Sequence, residues 1–180
     1  MTDFSHLVEP DHTYLVTGGA GFIGSHLVEH LLAGNPHRVR VVDNFSTGFR
    51  KNLAPFLDRI ELIEGDISRP EICQEALDGV DIVFHQAALP SVPRSIANPA
   101  RSHAVNATGT LNILVAAKYA GAQRVVYASS SSTYGDTPTL PKHEELTPHP
   151  LSPYAVAKLA GEHYVRSFPL AFGLEGVALR

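Results

Sequence analysis

The sequence predicts an α/β fold, a doubly wound parallel sheet with helices on both faces. Short apolar, β-rich runs alternate with segments of helical spacing, and strands joined through helices require crossover connections and hence a parallel sheet. The first such run stops at a glycine cluster that leads directly into a helix. The composition suits a folded chain: 180 residues, 44% hydrophobic and 18% charged, with enough length to bury a core without staples.

Residues 1–12 are polar, end near Pro10-Asp11 and read as an N-terminal leader; residues 13–180 read as one domain. Thr13–Thr17 is a strand stopped by Gly18-Gly19. Phe22–Ala33 carries Phe22, Ile23, Leu27, Leu31 and Leu32 at helical spacing and ends near Gly34-Asn35-Pro36. Arg38–Val42 is a second strand, followed by the turn-rich DNFSTGFRKN. Ile60–Glu64 is a third strand, Pro70–Leu77 a short helix and Asp81–His85 a fourth strand. After a loop punctuated by prolines, a long helix is predicted over roughly Arg101–Tyr119, with Val105, Leu111, Leu114 and Val115 on one side. Val125–Ala128 is a fifth strand and Asp136–Pro153 a proline-rich loop. Pro153 suits the first turn of a helix running to about Phe168, and Val177–Leu179 begins a sixth strand. Two βαβαβ halves make a Rossmann-type arrangement, with a ligand crevice at the carboxyl ends of the strands.

Charge and composition exclude several functions. With 14 Lys+Arg against 18 Asp+Glu the net charge is -4, which argues against a nucleic-acid partner. The single cysteine, Cys73, allows neither an intrachain disulfide nor a CxxC metal knuckle. No apolar run approaches the roughly 18 residues of a membrane span, and the N-terminus has no signal-peptide pattern. The expectation is a soluble, cytoplasmic protein without a membrane partner. His26-Leu27-Val28-Glu29-His30 matches H-x-x-E-H, but it lies where the first helix packs on the sheet, so no metal is expected.

Thr17-Gly18-Gly19-Ala20-Gly21-Phe22-Ile23-Gly24 joins the first strand to the first helix. Gly18 permits the tight turn, Gly21 lets backbone approach a pyrophosphate, and Gly24 lets helix and strand pack closely. The helix N-terminus offers free N–H groups and a positive dipole end to the phosphate. Asp43 ends the second strand 19 residues beyond Gly24. A carboxylate there accepts from ribose hydroxyls and repels a 2′-phosphate, which favours NAD over NADP. Asp66, after the third strand, is a candidate for the adenine end, or an ordinary turn aspartate.

Tyr154 and Lys158 lie i, i+4 on the last helix and so share a face. A neighbouring ammonium lowers a phenol's pKa, so Tyr154 is a candidate base for a substrate alcohol whose hydride leaves for the cofactor. The cluster Ser129-Ser130-Ser131-Ser132-Thr133 follows the fifth strand at the crevice, where one hydroxyl can bridge substrate and Tyr154.

TGGAGFIGSHL, DNFSTG, GDI, HQAA, YASSSSTYG and YAVAK, in this order and spacing, resemble the extended short-chain dehydrogenase/reductase family, the NAD-dependent epimerases and dehydratases. Within it, AALPSVPRSIANP, SSSSTYGD and LSPYAVAKLAGE are most similar to UDP-N-acetylglucosamine and UDP-glucose 4-epimerases. The resemblance implies that Gly18, Gly21, Phe22, Ile23, Gly24, Asp43, Asn44, Asp66 and Ile67 bind NAD, with Gln86, Ala87, Ala88 and Asn106 lining it. It implies a catalytic trio of Ser130, Tyr154 and Lys158, with Ser131 one residue from the assigned hydroxyl. Ser91, Arg94, Ser130, Ser131, Ser132 and Tyr154 would approach the nucleotide sugar. The implied reaction is a 4-epimerisation: Tyr154 takes the O4 proton as C4 gives hydride to NAD, the flat 4-keto sugar rotates, and hydride returns to its other face.

Ser130-Ser131-Ser132 carries no carboxylate where 4,6-dehydratases have one. A UDP-glucuronate decarboxylase or uronate epimerase is the nearer alternative, and a non-catalytic NAD-binding module the alternative from another class. Relatives carry a further C-terminal portion that grips the nucleotide sugar, whereas this chain ends within GVALR, so the expectation is an NAD-binding domain without the substrate portion. The resemblance also implies a homodimer built through the helices at Arg101–Tyr119 and Pro153–Phe168.

Overall fold

A computed structural model describes residues 5–180; the first four residues of the expected leader lie outside it. Six strands form one sheet: β1 (Thr13–Thr17), β2 (Arg38–Asp43), β3 (Glu61–Glu64), β4 (Ile82–His85), β5 (Arg124–Ala128) and β6 (Glu175–Leu179). Their order is β3-β2-β1-β4-β5-β6, and every neighbouring pair is parallel. The winding reverses between β1 and β4, which opens a crevice at their carboxyl ends. This is the expected Rossmann-type sheet.

The helices are α1 (Phe22–Ala33), α2 (Pro70–Leu77), α3 (Val92–Ala97), α4 (Pro99–His103), α5 (Gly109–Ala120) and α6 (Pro153–Phe172). The pleat divides the core between two faces. Tyr14, Val16, Val39 and Val41 pack with Val28, Leu31 and Leu32 of α1. Leu15, Val42, Val83 and Val125 pack with Leu77, Ile113, Leu114 and Val165 from α2, α5 and α6. Each such side chain, fully buried, stabilises the fold by roughly 1.5–3 kcal/mol. No helix among the described residues is long and apolar enough to cross a membrane.

The described residues before β1 are tied to the sheet: Val8 packs against the α1-side core, and the Glu9 N–H donates to the Tyr14 hydroxyl at 2.9 Å. Phe22 and Ile23, expected on the apolar face of the first helix, are 79% and 60% exposed, because they sit on the turn that overhangs the crevice. The loop after β4 contains α3, too short for a periodic signal. The long helix is interrupted: α4 leads into one π-helical turn, Ala104–Thr108, before α5 begins. Val115 is half-exposed while Val105 and Leu114 are buried. α6 continues beyond Phe168 through Pro169 to Phe172. The missing Pro169 N–H leaves the Val165 carbonyl facing Gly176 of β6, where a Cβ would come within 2.5 Å of that oxygen.

Candidate active site

The turn after β1 is built from glycine for steric reasons. Gly18 has φ +69°, and a Cβ on it would lie 2.8 Å from the Ala87 backbone after β4. A Cβ on Gly24 would lie 2.3 Å from the Gly18 carbonyl oxygen. Strand, helix and the end of β4 thus meet where no side chain fits. Gly21, the residue before α1, offers no capping side chain. The first-turn N–H groups of α1 therefore stay free at the positive end of the helix dipole, a cradle for an anion.

That cradle opens on a cavity of about 380 Å³ across the carboxyl ends of the strands, within the size range of cofactor sites. Of the expected cofactor residues, Gly18, Gly21, Phe22, Ile23, Gly24, Asp43, Asn44, Asp66, Ile67, Gln86, Ala87, Ala88, Tyr154 and Lys158 line it. So do Ser46, Thr47, Gly48, Leu89, Pro90 and Ser129, which the residue-by-residue reading did not assign. Ser46, Thr47 and Gly48 lie within DNFSTG, so their signal was present in the motif.

The buried Asp43 accepts from the Ala20 N–H (2.9 Å) and the Phe45 N–H (2.8 Å). It latches the glycine loop to the end of β2. Asp66 accepts from Arg101 (2.6 Å), from Asn44 (3.1 Å) and from the Ser68 N–H and hydroxyl. Burial raises its carboxyl, but the Arg101 and Ser68 bonds reverse this and hold it at about 2.

The fully buried Asn106 does not line the cavity. Its amide donates to the Leu89 carbonyl (3.1 Å) and Ser102 (3.2 Å) and accepts from the Leu89 N–H (2.8 Å). It shapes the cavity by clamping the Leu89 wall, with its donors and acceptor turned to Leu89 and Ser102.

Tyr154 and Lys158 project together from the first turns of α6. Ser152 caps that helix, its hydroxyl accepting from the Ala155 N–H at 3.1 Å. Burial raises the Tyr154 phenol, and the adjacent Ser130 hydroxyl opposes the shift. The expected net lowering is not found in the chain itself. Lys158 is 2% exposed, and burial pushes its ammonium down to about 7. Ser130 bonds the Ser132 hydroxyl at 2.8 Å and accepts from its N–H, so it stands ordered beside Tyr154, while Ser131 is exposed. Ser130, Ser131 and Ser132 lie off the cavity lining, and Ser129 is on it.

Ser91 and Arg94 line an adjacent groove with Phe45, Phe49 and Pro90. The Ser91 hydroxyl caps α3, accepting from the Arg94 N–H at 3.3 Å. The His26 and His30 rings bond the carbonyls of Phe22 and His26, one turn back.

The chain matches the model of the NAD dependent epimerase/dehydratase family over residues 14–180. It is 39% identical over 165 residues to UDP-glucose 4-epimerase of Mycolicibacterium smegmatis, covering 89% of this chain and 52% of that protein. It is 41% identical over 145 residues to UDP-glucuronic acid decarboxylase 1 of Xenopus tropicalis, covering 78% of this chain and 33% of that one. The solved UDP-N-acetylglucosamine 4-epimerase of Methanobrevibacter ruminantium M1, in complex with UDP-N-acetylmuramic acid, superposes with a TM-score of 0.89 at 39% identity. That match covers 96% of this chain and 55% of the other. The chain thus spans about half the length of the curated epimerases it matches.

Proposed function

This chain belongs to the NAD dependent epimerase/dehydratase family, and we propose that the protein epimerises a nucleotide sugar at C4, a UDP-sugar of the N-acetylglucosamine or glucose type. The carrying observation is one cavity with an anion cradle at one end and Tyr154 and Lys158 at the other. The steric fit of Gly18 and Gly24 supports a dinucleotide there: no side chain blocks the approach of its pyrophosphate to the backbone. In this reading Gly21, Phe22, Ile23 and Gly24 hold the pyrophosphate, Asp43 and Asn44 the adenosine ribose, Asp66 and Ile67 the adenine, and Gln86, Ala87 and Ala88 the opposite wall.

When bound, oxidised NAD supplies a hydride acceptor and a positively charged ring. Tyr154 takes the proton from the sugar O4 and later returns it. Lys158 offsets the burial that keeps the phenol protonated. Ser130 hydrogen-bonds Tyr154 and the reacting oxygen, a role supported by its order and by the exposure of Ser131. Ser91 and Arg94 flank the sugar nucleotide from the adjacent groove. A 4-keto sugar is the intermediate.

The match to a decarboxylase favours UDP-glucuronate decarboxylation as the second reading, while the carboxylate-free Ser130-Ser131-Ser132 speaks against dehydration. We also propose a homodimer through α5 and α6, which expose Val115, Tyr119, Val156 and Tyr164; Tyr119→Glu should then lower the mass seen by light scattering. The deciding experiment gives the full-length protein UDP-N-acetylglucosamine, UDP-glucose and UDP-glucuronate in turn and separates the products. C4 epimers are expected; a pentose product with carbon dioxide selects the second reading. Tyr154→Phe should keep NAD and lose about 10²–10⁴-fold in turnover; near-normal turnover would remove Tyr154 from its role.

A further inference from the structure

Lys158 is a buried cation without a carboxylate. Among the described residues it forms no ion pair. Glu162, one turn along α6, is already taken by Arg180 and Ser129. A buried ammonium is costly unless something compensates it. Its Nζ lies 4.5 Å from the centroid of the Tyr127 ring on β5, and the face of an aromatic ring carries negative potential that attracts a cation within about 6 Å.

The ring is held in that position from every side. Tyr127 is fully buried, and its hydroxyl donates to the Lys158 carbonyl at 3.3 Å. Gly161 makes room for it: a Cβ there would lie 2.6 Å from that hydroxyl. Behind it on β4 stacks His85, with centroids 5.4 Å apart and planes at 27°. Both His85 nitrogens are engaged, Nδ1 with Thr17 at 2.7 Å and Nε2 with Thr110 at 3.0 Å. We propose that Tyr127 is a positioning residue whose ring face holds the Lys158 ammonium charged and aimed at Tyr154, with His85 as the neutral plate behind it.

The titratable groups facing this stack leave that role to the ring. Burial, with Lys158 adding to it, holds His85 at about 3, so it contributes no like charge at neutral pH. Burial pushes the Tyr127 phenol up, so the ring stays neutral, with Tyr154 and Glu162 of α6 acting in the same direction. α5 presents only the Thr110 hydroxyl. The catalytic meaning of the inference rests on the proposed role of Lys158, but holding the charge can be measured without turnover.

The test titrates the Lys158 side chain by NMR in uniformly lysine-labelled protein, with Lys158→Met to identify the signal. Tyr127→Phe keeps the ring face and should leave the titration nearly where it was. 3,4,5-Trifluorophenylalanine at position 127 keeps the volume but drains the face of negative potential. It should lower the Lys158 pKa by about one unit, a tenfold lower ratio of ammonium to amine at a given pH. The alkaline limb of kcat should move down with it. A Lys158 titration unmoved by fluorination overturns the proposal and leaves the roles of Tyr154 and Lys158 standing. If Lys158→Met turns over normally, the catalytic reading falls, and the functional half of the proposal with it.

Discussion

At Asp43 one carboxylate serves both fold and ligand. Its backbone bonds to Ala20 and Phe45 hold the anion inside the cavity wall, where each oxygen keeps a lone pair for a ribose hydroxyl. A 2′-phosphate would stand next to that charge. Two like unit charges 4 Å apart repel by about 1 kcal/mol in water and about 4 kcal/mol at a protein-surface dielectric, so NAD should bind roughly tenfold or more tighter than NADP. Titration with both cofactors checks this, and equal affinity would discard the role of Asp43. Tyr154 is the second case. Burial raises its phenol, so cationic charge has to bring it down. Lys158→Met removes part of that charge, and the rise of kcat with pH should move to higher pH; an unmoved profile would show that the ammonium does not act on the phenol.

Elements whose signals are local were legible from the sequence. β1, α1 and α2 have the expected boundaries because glycine, proline and apolar spacing mark them. The glycine cradle and the Tyr154–Lys158 pair were legible for the same reason: each is a spacing along one segment. What stayed hidden depends on contacts between segments. The π turn at Ala104–Thr108 sits where Asn106 grips Leu89, 17 residues away, and a helical period cannot register a one-residue insertion. The Tyr127–His85 stack joins two strands and read only as strand interior. The tie from Ser152 to Ala155 is local, and it sets the start of α6 one residue before Tyr154. Ser152→Ala should lower stability by about 1 kcal/mol in urea unfolding and reduce turnover beyond what that loss explains. Gly176→Ala should cost more than the cap, since Val165 and the strand would have to part; a Tm within a degree of wild type would contradict this packing.

For the whole molecule, the buried polar centre of the sheet sets the response to acid. His85 stays neutral in the fold, held at about 3 against an ordinary 6.5, whereas the unfolded chain takes up its proton near 6.5. Between those values the unfolded state binds more protons, so stability falls as pH falls. Each pH unit below 6.5 costs roughly 1.4 kcal/mol from this residue alone. Asp66 adds to it lower down: its folded value of about 2 lies below the ordinary 3.8, so its contribution is present above about pH 4 and is lost as pH falls towards 2. Lys158 acts on the other side. Its folded value of about 7 lies below 10.5, so the fold gains stability as pH rises from 7 towards 10. The expected curve is thus steep on the acid side and still climbing past neutrality. Urea unfolding at pH 7, 5.5 and 4 measures the acid slope. His85→Gln should flatten it between 6.5 and 4, whatever stability that variant loses at neutral pH. A wild-type unfolding free energy that stays flat over this range would mean that His85 takes up its proton inside the fold. Thr17 and Thr110 could not then hold it as a neutral ring, and the plate behind Tyr127 would carry charge.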